Sequence, residues 1–88
     1  MDRYQRIISR LAQEFSPSLL ELRDDSARHA GHAGAKAGGE THYDLVITAD
    51  GFAGMGKVQR HQRIYGVLAD EFKTGLHALS IKALAPGE

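Results

Sequence analysis

The apolar residues near the start of the chain fall at Tyr4, Ile7, Ile8, Leu11 and Phe15, while Arg3, Arg6, Arg10, Gln13 and Glu14 take the other positions. That recurrence at i, i+3, i+4 and i+7 predicts an amphipathic helix over Asp2 to Phe15. Asp2 stands where an N-cap is wanted, and Ser16-Pro17 stops the helix because proline disfavours helical backbone in the residue before it. From Leu19 to Asp25 the pattern becomes alternation, Leu20 and Leu22 against Glu21 and Arg23, which predicts a strand ended by the turn formers Asp24-Asp25-Ser26. A clearer strand runs from Thr41 to Asp50, with Tyr43, Leu45, Ile47 and Ala49 facing one way and His42, Asp44, Val46 and Thr48 the other. Asp50 to Gly56 is a glycine-rich turn in which Phe52 plugs the edge of the core.

Helical spacing returns from Lys57 to Lys73, with Val58, His61, Ile64, Tyr65, Leu68 and Phe72 on one stripe. Gly66 inside it costs about 1 kcal/mol against alanine, which predicts a close packing contact there. Thr74-Gly75 closes this helix as a C-terminal glycine cap. Leu76 to Leu84 is a third strand, with His77, Leu79, Ile81 and Ala83 on one face. The order is therefore helix, strand, strand, helix, strand. A hairpin followed by a crossover helix gives a three-stranded mixed sheet with both helices on one face, a two-layer α+β sandwich. Residues 1–88 read as a single domain, with 84–88 a flexible tail.

Composition narrows the chemistry. Eleven Lys+Arg balance eleven Asp+Glu, so no excess of charge argues for nucleic acid or a membrane surface. No apolar run approaches the roughly 20 residues that span a bilayer, and the charged start is unlike a signal sequence, which reads as a cytoplasmic protein with no membrane partner. Cysteine is absent, which removes disulfides, thiolate catalysis and any self-sufficient Cys-ligated metal site. Catalysis finds little support in any other motif: Ser26 lies near His29, Asp24 and Asp25 without a nucleophile elbow, and no phosphate loop occurs, so the chain reads as no enzyme.

Three of the five histidines, His29, His32 and His42, fall within fourteen residues around a segment rich in Gly and Ala. Such a loop presents side chains, and imidazoles three positions apart suit a metal or metal cluster. Each has a plainer reading as well. His29 and His32 could lie in a solvated loop, His42 could anchor that loop, His61 could pack on a core stripe, and His77 could be a buried, satisfied histidine by strand parity.

The blocks Asp25-Ser26-Ala27-Arg28-His29-Ala30-Gly31-His32-Ala33-Gly34, Glu40-Thr41-His42-Tyr43, Phe52-Ala53-Gly54, Arg60-His61 with Ile64-Tyr65, and Gly75-Leu76-His77-Ala78-Leu79-Ser80-Ile81 resemble, in order, those of the BolA family. The likeness runs from about Leu20 to Ala83, and the blocks are specific as a set. It implies a K-homology-like fold of the second type and partnership with a monothiol glutaredoxin, the two proteins sharing a 2Fe-2S cluster. The BolA-side ligands implied are His77 and a histidine of the loop between the first two strands, His29 or His32, with His29 favoured by the Ser-x-x-His match. Imidazole can replace thiolate on a cluster iron. A chain without cysteine supplies only part of such a site, so the resemblance assigns the remaining thiolates to the glutaredoxin and its bound glutathione, in a heterodimer. An apo homodimer stays open.

The alternative is a DNA-binding transcription regulator using the second helix and the glycine-rich turn before it. Gly51-Phe52-Ala53-Gly54 matches the GxxG of nucleic-acid-binding K-homology domains. Arg60-His61-Gln62-Arg63 resembles the family's Arg-His-Arg block, linked to DNA contact and to partner docking, with Gln62 in place of the second arginine. Arg60, Arg63 and Lys57 would carry DNA contact, and Arg60 and His61 partner binding.

Overall fold

The computed structural model describes residues 2–26 and 40–88. Helix α1 spans Arg3–Phe15 and opens as expected from Asp2: the Gln5 N–H donates to Asp2 Oδ1 at 2.9 Å and the Asp2 N–H donates to Gln5 Oε1 at 3.1 Å. Ser16 ends it in the left-handed region at φ 46°, where its N–H still reaches the Ala12 carbonyl at 3.1 Å. Ile7 and Leu11 are fully buried. Tyr4, expected on that stripe, is exposed, and Arg3 is buried instead. The helix is rolled so that Arg3, Ile7 and Leu11 form one inward row, which burial tolerates because the Arg3 guanidinium is ion-paired within it.

Strands β1 (Leu19–Asp24), β2 (His42–Thr48) and β3 (Ala78–Leu84) form a mixed sheet in the order β1-β2-β3. β1 pairs antiparallel with β2, Leu22 opposite Leu45, and β2 pairs parallel with β3, Tyr43 opposite Leu79. The face carrying Leu22, Tyr43, Leu45, Ile47 and Leu79 packs on Ile7, Leu11, Ile64 and Leu68. Both helical segments thus cover one face, the predicted arrangement. After β2, a single 3-10 turn over Asp50–Phe52 drives Phe52 fully into the core, its ring 4.9 Å from that of Phe15.

The second helical region differs from its predicted form in three ways. It breaks at Leu68 into α2 (Lys57–Val67) and α3 (Ala69–Lys73). Its inward row is Arg60, Ile64, Leu68 and Glu71, whereas Val58 is 69% exposed and Tyr65 41% exposed. Two ionised residues occupy core-facing positions because each has its partner within the fold, and hydrophobic periodicity does not register that. Gly66 has nothing within 4 Å of the place a Cβ would occupy, so it makes no close packing contact. The glycine cap is present: Gly75 has φ 134°, and the Leu76 N–H returns to the Glu71 carbonyl at 2.9 Å.

Glu71 is a structural centre outside the sheet. Arg3 Nη1 and Arg6 Nε lie 2.9 Å from its two carboxylate oxygens, and Arg3 also donates to the Glu71 and Thr74 carbonyls. The residues after β3 are folded back rather than free: Ala85 is buried, and the Glu88 carboxylate reaches Arg60 Nη2 at 2.8 Å and accepts the Ala85 N–H at 3.0 Å.

Candidate functional site

His29 and His32 lie outside the described residues, but both stems of the segment that carries them are described. Ser26 ties the stems together, its hydroxyl oxygen accepting the N–H groups of Thr41 at 3.0 Å and His42 at 3.1 Å. The Asp25 N–H donates to the His42 carbonyl at 2.7 Å. Asp24 accepts from the Ser26 N–H at 2.9 Å and the Glu40 N–H at 3.1 Å. Burial pushes the Asp24 carboxyl up, but the bonds from Ser26 and Glu40 and the nearby His42 outweigh it and hold it below its ordinary value. Glu40 in turn accepts the Arg3 N–H at 3.0 Å, fastening the second stem to α1.

The same stem fixes His77. The Thr41 carbonyl accepts both the His77 N–H at 2.8 Å and the Ala78 N–H at 3.0 Å. His77 therefore precedes β3 instead of lying within it, and its side chain is exposed rather than buried as parity suggested. Its ring lies 5.2 Å from that of His42, centroid to centroid, tilted by 50°. His42 is buried, and its Nδ1 is 2.9 Å from the Thr41 hydroxyl. Pattern reading placed His42 on the wetter face of its strand and missed this pairing. The register that puts His42 opposite Ala78, next in sequence to His77, is the signal that finds it.

A metal cluster would meet one exposed imidazole, His77, on a backbone held at its N–H, with the stems of the histidine-bearing segment alongside. Among the described residues no group of three or more His, Asp or Glu side chains could hold a metal ion. With cysteine absent from the sequence, the donors fit a partial, shared site and not a closed one.

The candidates on α2 separate. Arg60 is buried, and its guanidinium is committed to the Met55 carbonyl at 3.0 Å, the Ala83 carbonyl at 3.0 Å and the Glu88 carboxylate. Arg63 is exposed, its guanidinium carbon 5.7 Å from the Phe15 ring centroid and its Nη2 donating to Glu14 Oε1 at 3.3 Å. Lys57 is exposed and His61 half-buried, and both line a groove of about 390 Å³ between α2 and β3 with Met55, Arg60, Ile81 and Lys82. The far end of that strand is held by Tyr65, whose hydroxyl donates to the Leu79 carbonyl at 3.2 Å. Phe52, the second residue of the GxxG pattern, is core.

Fold and site together define a small α+β domain that presents imidazole at one end of a mixed sheet. The BolA-like protein family model matches residues 11–88, and the chain belongs to that family. It is 48% identical over 90 residues to the SufE-like protein 1, chloroplastic/mitochondrial, of Arabidopsis thaliana, covering 98% of this chain and 24% of that protein. It is 44% identical over 89 residues to the protein BOLA1, chloroplastic, of the same plant, covering 99% of this chain and 56% of that one. The chain thus spans about a quarter and about half of these two relatives. The solved BolA domain of SufE1 from Arabidopsis thaliana superposes with a TM-score of 0.89 at 48% identity, over 98% of this chain and 94% of that one. No helix among the described residues is long and apolar enough to cross a membrane, and both plant relatives are named as organellar proteins.

Proposed function

We propose that this chain is a non-enzymatic adaptor in iron-sulfur handling that binds a monothiol glutaredoxin and shares a 2Fe-2S cluster with it. His77 supplies one ligand and His29 or His32 the other, while the glutaredoxin and its glutathione supply thiolates. The observation that carries the reading is the placement of His77: exposed, held through its N–H by Thr41, and beside the stems of the histidine-bearing segment. Membership of the BolA-like family supports the choice of partner. When bound, the cluster supplies one-electron chemistry at a potential that imidazole ligation raises relative to thiolate alone. Neutral imidazole is the ligating form, so acid conditions weaken retention.

Reconstitution with a monothiol glutaredoxin tests this. The wild-type pair should show a cluster whose visible absorption and circular dichroism differ from those of the glutaredoxin alone, and His77→Ala should abolish the difference. Identical spectra for wild type and His77→Ala would remove His77 from the ligand set.

The element order and mixed sheet also suit a K-homology likeness, the basis of the DNA-binding alternative. The commitment of Arg60 inside the fold weighs against it, leaving Lys57 and Arg63 as the exposed cations of the three. Salt-dependent DNA affinity lost on substituting Lys57 and Arg63 would favour that alternative.

A further inference from the structure

We infer that His42 is the positioning residue for His77, setting the direction in which the exposed imidazole is offered. This deepens the reading of the shared site and rests on it for its second test only. The two residues are joined twice. Their rings pack at 5.2 Å, and the Thr41 carbonyl holds the His77 and Ala78 N–H groups from the residue next to His42.

His42 is itself fixed from several sides. It is only 7% exposed, its Nδ1 meets the Thr41 hydroxyl at 2.9 Å, its N–H donates to Ser26 Oγ at 3.1 Å, and its carbonyl accepts the Asp25 N–H at 2.7 Å. Thr41, 1% exposed, is equally immobile. A solvent-exposed histidine ahead of a strand would ordinarily sample several staggered χ1 states. Packing one of its faces against a fixed ring removes rotamers that swing away, so the imidazole is pre-oriented before any partner arrives. Contacts behind a ligand that fix its orientation are worth roughly 10–100-fold in metal affinity elsewhere. His42 also belongs to the stem that Ser26 ties, so one residue sets His77 relative to the root of the segment carrying His29 and His32.

The first test uses the apoprotein alone. Three-bond couplings across His77 χ1 and the ring-current shifts of its imidazole protons should report one dominant rotamer in the wild type. They should average in His42→Ala and return in His42→Phe, which keeps an aromatic face without ring nitrogens. Thr41→Val, which deletes the hydroxyl contact at nearly constant shape, should give an intermediate result. Unchanged backbone amide shifts for Leu45, Ile47 and Ile64 certify that each variant is folded. Averaged His77 couplings already in the wild type, or no difference in His42→Ala, would overturn the inference.

The second test is cluster retention with a monothiol glutaredoxin. His42→Ala should shorten the cluster lifetime about tenfold and shift its circular dichroism, with recovery in His42→Phe. Recovery only with an imidazole at position 42 would make His42 a ligand and overturn the positioning role. If the wild-type pair takes up no cluster, the proposed function fails while the rotamer measurement still decides the role of His42.

Discussion

Arg3 and Glu71, 68 residues apart in the chain, meet side chain to side chain at 2.9 Å, both buried, and so clamp the first turn of α1 to α3. Arg6 completes the pair of cations around the carboxylate, while Arg3 Nε has no hydrogen-bond partner among the described residues. Removing one member of a buried pair strands the other charge, whereas removing both with apolar side chains of similar size does not.

Glu71→Ala should therefore destabilise the domain by about 3–5 kcal/mol, measured by urea unfolding at neutral pH. The double replacement Arg3→Met with Glu71→Leu should recover most of that loss. Hydrogen bonding from Arg6, opposed by burial and aided by Arg3, holds the Glu71 carboxyl below its ordinary 4.5. A carboxyl lowered on folding stabilises the fold fully above its unfolded value and loses that contribution as pH falls through the folded one. Wild-type stability should thus decline below about pH 4.5, with a smaller decline in Glu71→Gln.

The Glu88 carboxyl is held down to about 2, first by the Arg60 guanidinium and then by the Ala85 N–H. Its side-chain carbon resonance should stay at the ionised position until far below the ordinary glutamate range. In Arg60→Lys, which cannot grip both oxygens, the midpoint should move up. An unshifted Glu88 in the wild type would mean that the residues after β3 do not fold back in solution.

Burial, aided by the nearby Asp24 and Glu40 carboxylates, pushes the Tyr43 phenol up to about 12. Spectrophotometric titration of the three tyrosines should show one ionising late, and Tyr43→Phe should delete that step. Because folding raises this acid's pKa, the stabilisation is full below about pH 10 and is lost as pH climbs through the folded value.

Gly66 sits in α2 with open space where a side chain would go. Gly66→Ala should raise stability by about 0.5–1 kcal/mol by stiffening the unfolded chain and improving helix propensity. Urea unfolding would show this as a higher midpoint at unchanged slope. A loss of stability would restore the close contact that the cost of a glycine within a helix led us to expect.

Much of the fold was legible because local signals agreed with the tertiary outcome. Asp2 and Gln5 cap α1, Tyr43, Leu45 and Ile47 alternate with their outward neighbours, and Gly75 ends α3, each a choice made by nearest neighbours in sequence. The reading failed where a charge was buried with a distant partner. Arg3, Arg60 and Glu71 look like surface residues until their partners are known, and those partners lie in other elements. At the site, the block around His77 placed that residue at the start of the last strand, but showed neither its exposure nor His42 beside it. The nearness of His42 follows from the parallel register of β2 and β3, a long-range fact with no local trace. His29 and His32 lie outside the described residues, and their part in the site rests on the resemblance.

The grip of α2 on β3 bears on how the molecule behaves in a crowded solution. An edge strand invites a second chain to extend its ladder, and its outward carbonyls are the acceptors such a chain would use. Here Tyr65 already donates to the Leu79 carbonyl and Arg60 to the Ala83 carbonyl, so an incoming strand would meet two side chains lying across the acceptors it needs. The sheet is discouraged from growing on that side, and a second copy of the chain finds no easy seam along β3.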